Sequence, residues 1–290
     1  MTSDQSVAEM HRVFDAVADD YDQSGVEFFK PIGRRLVEHA GLEPGESVLD
    51  LACGRGAVLL PAAEAVGAGG RVLGVDVSET MIEHLSRAIA ESGLQQAETL
   101  NGDARRPDLE PGRFDAVVSS CGAIIWVTGA DDLRPYRELL RPGGRLVFSG
   151  PSFFGAAEGN VPFLPNEVVD LLLPELSALS GTIGDSNPFT SPDESWLADR
   201  GTVRNSLQEA GFSAVDIHEE DLPLVVESGQ QWVRWTRSHG MRAMWEQIPE
   251  PRASELAGQV AERIDALRGP GGTVTFDIPI VHIRADVPES

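Results

Sequence analysis

The sequence predicts an α/β protein of seven strands, mostly parallel, with helices on both faces of the sheet and a largely helical lid. Three observations carry this. From Ser47 onward, short apolar runs alternate with helical segments, which is the pattern of βαβ units. The first run ends at a glycine-containing turn, Ala52-Cys53-Gly54-Arg55-Gly56. The second run ends in an acid, Asp76.

Each element follows from local pattern. Ser47 to Leu51 is the first strand. Ala57 to Ala65 reads as a helix, and Pro61 within it predicts a kink or a late start. Gly67 to Gly70 breaks it, and Arg71 to Val77 is the second strand. Ser78 is a good N-cap and Glu79 suits the helix dipole. Met81, Ile82, Leu85 and Ile89 then share an apolar face. Ala97 to Asn101 and Phe114 to Ser119 are strands three and four. Asp132 to Leu140 is a helix, Arg141-Pro142-Gly143-Gly144 a turn, and Arg145 to Ser149 the fifth strand.

The C-terminal third is less regular. Thr202 to Ala210 reads as a helix with Gly211 as its C′ residue. Phe212 to Glu219 and Gly272 to Ala285 read as strands, the latter as a sheet edge. The division expected is a lid segment over 1–40 and a core over 41–150, 200–221 and 271–290. Lid insertions are expected over 151–199 and 222–270.

Composition excludes several classes. The chain has 290 residues, enough to bury a sizeable core. No run approaches a membrane span, and Met1 to Asp20 has no basic region ahead of an apolar core, so it is not a secretory signal. Cys53 and Cys121 are the only cysteines, which excludes a disulfide framework and makes a reducing cytoplasm the default. Acidic residues number 46 against 23 basic, a net charge of −23. Such a field repels phosphate backbones and anionic membranes, and no basic stripe offsets it. The partner expected is a small molecule. A homo-oligomer is compatible with the sequence, which does not specify one.

The turn after the first strand is a ligand-binding turn, because glycines let a bound molecule approach the backbone. In a parallel sheet such turns sit at the carboxyl ends of the strands, where ligands bind. Asp76 is placed to accept from both hydroxyls of a ribose, and Asp103 to reach an adenine.

Four segments together resemble the class I S-adenosylmethionine-dependent methyltransferases, whose fold is Rossmann-like. They are Val48 to Gly56, Asp76, Gly102-Asp103-Ala104 and Leu140 to Gly144. The chain is most similar to the small-molecule branch that includes the ubiquinone and menaquinone methyltransferases. The run Phe14 to Asp22 resembles that branch's N-terminal motif. Ala52 departs from the glycine common there. The resemblance implies S-adenosylmethionine as cofactor. It implies that Ala52, Gly54 and Gly56 border the methionine part and ribose, and that Asp50 anchors the amino group. It further implies Asp76 on the ribose, with Val77, Met81, Asp103 and Ala104 around the adenine. Ser119 would offer its carbonyl to the ammonium, and Tyr21 would close over the cofactor. A dinucleotide-binding fold is the rival; it would want a small residue where Leu59 stands.

Methyl transfer is an in-line displacement, with the nucleophile held on the far side of the methyl group. No His-x-x-x-His spacing appears, so no metal is expected. The Asn/Asp-Pro-Pro-Tyr tetrapeptide of the amino-methylating branches is also absent. The candidates for a base are His11, His239 and Tyr21; His84, His218 and His282 read as structural or exposed, and His39, just before the core, has no distinguishing neighbour. Trp232, Trp235 and His239 fall at i, i+3 and i+7 of a helix from Gln230 to His239 ending at Gly240. That face either lines an acceptor chamber or is the buried side of a lid helix. Phe153, Phe154, Phe163, Leu171 to Leu173, Trp196 and Trp245 make the insertions apolar, which suits a large, mostly apolar natural product or quinone-like acceptor. O-methylation is the favoured reading. A non-methylating step such as cyclisation, and a non-catalytic cofactor-binding module, stay open.

Overall fold

In the computed structural model, which describes residues 11–154, 164–177, 196, 197 and 199–289, seven strands form one sheet in the order β3-β2-β1-β4-β5-β7-β6. The strands are β1 (Ser47–Leu51), β2 (Arg71–Asp76), β3 (Ala97–Asn101), β4 (Phe114–Ser120), β5 (Leu140–Pro151), β6 (Ser213–Val226) and β7 (Val274–Asp286). β1 to β5 pair in parallel, while β7 runs antiparallel to both β5 and β6. The first lid segment lies partly, and the first insertion mostly, outside the described residues. Met1 to Met10 and Phe163 are among those not described.

Helices cover both faces. On one face lie α1 (Phe29–Ala40), α2 (Leu59–Val66) and α3 (Glu79–Ser92), whose Leu36, Leu59 and Leu85 pack on Val48, Val72 and Val118. On the other lie α4 (Ala130–Leu139) and α6 (Arg200–Glu209), whose Leu133, Tyr136 and Leu207 pack on Leu49, Val117 and Phe148. A separate apolar cluster joins α5 (Asn166–Ser177), α7 (Gly229–Arg237), α8 (Arg242–Gln247) and α9 (Arg252–Asp265). No helix among the described residues is long and apolar enough to cross a membrane.

Several expectations need correction. Gly272 to Ala285 was expected at an edge, but β7 lies between β5 and β6, and β6 is the edge. β6 continues to Val226, beyond residue 221 where that stretch of the core was expected to end. The Arg141 to Gly144 turn is absorbed into β5 as an irregularity, with the register shifting between Phe114 and Ala116 and Gly143 at φ 75°. α2 starts late: Pro61 sits in its first turn, where a missing N–H costs nothing. The Ser78 cap is as read, its Oγ accepting from the Met81 amide at 3.2 Å.

Candidate active site

The turn after β1 is built in the left-handed region. Ala52, Gly54 and Gly56 have φ of 56°, 49° and 87°. An alanine there is strained by roughly 1–2 kcal/mol. Its methyl is accommodated from across the sheet, since a Cβ on Gly122 would stand 2.7 Å from Ala52 Cβ. The two glycines differ in purpose. A Cβ on Gly54 would meet nothing within 4 Å, so this residue is open to the cleft. A Cβ on Gly56 would come within 2.5 Å of Leu85 Cδ1, so the missing side chain makes room for α3, and Gly56 lines neither cavity.

Two adjoining cavities meet at this turn. The larger, about 670 Å³ and open to solvent, has Asp76, Val77, Met81, Asp103 and Ala104 on its walls. The smaller, about 420 Å³, has Asp50, Cys53, Arg55, Phe29 and Asp22. Tyr21, Ala52, Gly54 and Ser120 belong to both.

The acids have distinct states. Asp76 accepts the Gly54 amide on Oδ2 at 2.8 Å and the Ser78 amide on Oδ1 at 2.9 Å. Burial pushes its pKa up, and these amides oppose the rise. Each oxygen keeps a lone pair for a further donor. Asp50 is 1% exposed, and its Oδ2 has no hydrogen-bond partner. Burial, with Asp76 nearby, holds its pKa well above the usual range. Such an orphaned oxygen calls for a donor that the chain itself does not supply. Asp103 is differently engaged. Burial pushes its pKa up, but hydrogen bonds from Arg105 outweigh this and hold it low.

Ser119 is fully buried, donating to Leu51 O at 2.8 Å and accepting from the Ala123 amide at 3.0 Å. Its side chain ties the ends of β1 and β4 together, and the next residue, Ser120, faces the cavities instead. Tyr21 stacks on Phe29 with centroids 4.7 Å apart. Burial, then Cys121, raises its pKa well above normal, so the hydroxyl keeps its proton.

Residues 48–144 match the family described as Methyltransferase domain. Over 280 residues the chain is 36% identical to nocamycin O-methyltransferase of Saccharothrix syringae, covering 93% of this chain and 96% of that one. The chain is an S-adenosylmethionine-dependent methyltransferase. It is also 40% identical over 164 residues to aklanonic acid methyltransferase DauC of a Streptomyces species, covering 57% of this chain and 73% of that one. The YcgJ protein of Bacillus subtilis shares the fold. Its TM-score is 0.56 at 16% identity, covering 88% of this chain and 97% of that one.

The cavity residues of this methyltransferase fit its cofactor. Asp50 offers an orphaned carboxylate oxygen to an amino group, Gly54 opens the floor, and Asp76 has acceptor capacity left. Two residues that the sequence reading passed over also matter. Arg55 donates to the carbonyls of Ala18 and Asp19, each at 3.2 Å, and of Tyr21 at 3.3 Å, tying the N-terminal segment over the turn. Cys121, at φ 58°, presents a thiol that burial pushes up to about 12. Their signal was position alone, between the two glycines and just past β4.

Of the three candidate bases only Tyr21 lines the cavities; the two histidines do not. His11 is exposed and lines neither cavity. His239 lies beyond the end of α7, which stops at Arg237 instead of His239. It sits behind Phe29, with ring centroids 5.9 Å apart, and beside Trp235 at 4.7 Å. Burial pushes its pKa down to about 3. A histidine so weakly basic is a poor proton acceptor at neutral pH, and it lines neither cavity.

His39 was read as having no distinguishing neighbour and His282 as structural or exposed, and the fold stacks their rings 4.2 Å apart beside Glu220. His282 accepts from Ser149 Oγ on Nδ1 at 2.6 Å and donates from Nε2 to Glu220 at 3.0 Å. Among the described residues this trio alone has metal-ligand spacing. Arg35, bonded to both Glu220 oxygens, is the cation this carboxylate already has.

Proposed function

We propose that this methyltransferase transfers a methyl group to an oxygen of a small, mostly apolar organic acceptor, and that this oxygen arrives already ionised. The observation that carries the reading is the lack of a competent base among the described cavity residues. Tyr21 holds its proton, and the Cys121 thiol is pushed up to about 12. In this reading Asp76 and Asp50 are taken by the cofactor's ribose and amino group, Asp103 pairs with Arg105 at 2.8 Å, and Asp22 with Lys30 at 3.1 Å. A carboxylic acid, an enol of a dicarbonyl or an acidic phenol needs no such base, whereas an alcohol does.

The residues divide the work. The larger cavity suits the adenosine, with Asp76 accepting from the ribose hydroxyls and Val77, Met81 and Ala104 against the adenine. Asp103 reaches that edge already paired to Arg105. The smaller cavity suits the methionine part, with Asp50 Oδ2 accepting from the amino group. S-adenosylmethionine supplies a methyl on a sulfonium. With it bound, the acceptor oxygen's lone pair would form the new C–O bond while the C–S pair stayed with sulfur. Tyr21 and Ser120, shared by both cavities, border the seam where the acceptor would meet the methyl. Tyr21 acts there as a wall and a hydrogen-bond donor, and excludes the water that would compete for the lone pair. A cytoplasmic location goes with this reading, since both cysteines are free as a reducing compartment keeps them.

The test is a panel of fused-ring aromatic carboxylic acids and the matching primary alcohols, incubated with isotopically labelled S-adenosylmethionine. Methyl esters are expected from acids and no ethers from alcohols. Ether formation at a rate equal to ester formation would overturn the reading.

A further inference from the structure

Away from the two cavities, the C-terminal end of α1 and the strands β6 and β7 gather residues that the methyl transfer does not use. His218 and Glu220 are two apart on β6 and so share a face, and His282 on β7 pairs with His218 in register. α1 brings His39, in its last turn, onto the same face. The His39 ring lies 4.2 Å from that of His282 and 4.8 Å from that of His218, centroid to centroid.

Within this cluster, one atom each from His39, Glu220 and His282 lies within 4.8 Å of the other two. His39 Nε2 and His282 Nε2 stand 3.7 Å and 3.0 Å from the same oxygen, Glu220 Oε1. Bonds of roughly 2.0–2.1 Å to a tetrahedral ion set its ligand atoms about 3.3 Å apart, and the two distances straddle that value. His39 Nε2 is buried without a hydrogen-bond partner, which is rare for a buried nitrogen. The groups behind the ligands are also in place. Ser149 Oγ, 2.6 Å from His282 Nδ1, can accept the ring proton there and leave the Nε2 lone pair to an ion. Arg35 grips both oxygens of Glu220 and orients the carboxylate, whose roughly four acceptor positions leave Oε1 facing the rings. The side chains of His39 and Glu220 are 25% and 19% exposed, which gives an ion a path from solvent.

We propose that His39, Glu220 and His282 form a binding site for a zinc ion, with water as its fourth ligand. The ion takes the place of the proton between His282 Nε2 and Glu220 Oε1, and that proton moves to Nδ1. Two imidazoles and one carboxylate suit zinc, whereas magnesium takes oxygen ligands. The net charge of −23 draws cations to the chain. The ligands come from three elements far apart in sequence, which is why no His-x-x-x-His spacing announces them. α1 starts at Phe29 on the smaller cavity, so an ion at its far end staples this helix to β6 and β7. The role is structural and independent of the acceptor that is methylated.

The test uses the full chain without an added histidine tag, stripped of metal with EDTA. It is titrated calorimetrically with zinc chloride and, separately, with magnesium chloride. A single zinc ion is expected to bind with Kd of about 10 μM or tighter, with no magnesium binding in that range. Saturating zinc should raise Tm, because the ion binds the folded chain. His39→Ala and Glu220→Gln should each weaken zinc binding by about tenfold or more and abolish the rise in Tm. His84 pairs with Asp19 at 2.8 Å but has no third ligand group beside it among the described residues. His84→Ala should therefore leave zinc affinity within about twofold. His39 sits partly exposed at a helix end, so its variant decides if Glu220→Gln does not fold. No zinc binding in this range, equal affinity for magnesium, or affinity unchanged in His39→Ala overturns the proposal. So does an equal loss in His84→Ala.

Discussion

The Gly54 amide donates to Asp76 Oδ2 at 2.8 Å, so the acid that ends β2 is held by the turn that ends β1. Its other oxygen takes the Ser78 amide, at the start of α3. One carboxylate thereby fixes two loops of the cleft. Asp76→Ala removes a charged acceptor for ribose and loosens both loops. Titration calorimetry with S-adenosylhomocysteine should show a loss of about tenfold or more, since hydrogen bonds to charged groups are worth roughly 1.5–3 kcal/mol. Unchanged affinity would place the ribose elsewhere.

Gly33 in α1 allows a close approach to the segment after the glycine turn. A Cβ there would stand 2.2 Å from the Ala57 carbonyl oxygen. Gly33→Ala must push α1 away from backbone, and overpacking of this kind costs about 1–3 kcal/mol. Gly258, within α9, has nothing within 4 Å of an added Cβ. Gly258→Ala should therefore raise stability by roughly 0.5–1 kcal/mol, through helix propensity and reduced unfolded-state entropy. Thermal melts of the two variants should move in opposite directions.

Acid should destabilise the protein through its buried histidines. His239 and His282 have folded pKa values pushed down to about 3 and about 4, first by burial. The unfolded chain therefore binds more protons than the folded one below the ordinary histidine value of about 6.5. Stability from each neutral ring is fully present above about pH 6.5 and is lost as pH falls towards the folded pKa. The slope approaches about 1.4 kcal/mol per pH unit per histidine. His239→Phe should melt with a shallower dependence between pH 6.5 and 4 (~2.5 units of the window) than the wild type. An identical slope would mean that the ring is protonated in the folded state.

The net charge of −23 predicts no useful binding to nucleic acid. Filter binding at low salt should detect no submicromolar, salt-dependent complex with DNA or RNA. Such a complex would show a cationic surface that the charge balance does not suggest.

β1 to β5 and the helices between them were legible because their signals are local. Strand runs, the Ser78 cap and the positive-φ glycines at 54 and 211 report on neighbours within a few residues. The site acids were legible for the same reason. A strand-ending Asp50 or Asp76 is brought to the carboxyl edge by the parallel order of strands alone.

What the sequence determined by itself is thus the parallel α/β core and the placing of Asp50 and Asp76 at the cleft after β1 and β2. Only the tertiary structure decided that β7 lies inside the sheet, that Gly56 packs against Leu85, and that Ser120 rather than Ser119 faces the cavities. It also decided that His239 is buried behind Phe29 and away from both cavities, and that His39, His282 and Glu220 meet. The physical reason is range. Spacing along the chain sets which residues share a face, but burial and proton position depend on partners far away in sequence, and those partners are chosen by how the strands and lid helices pack.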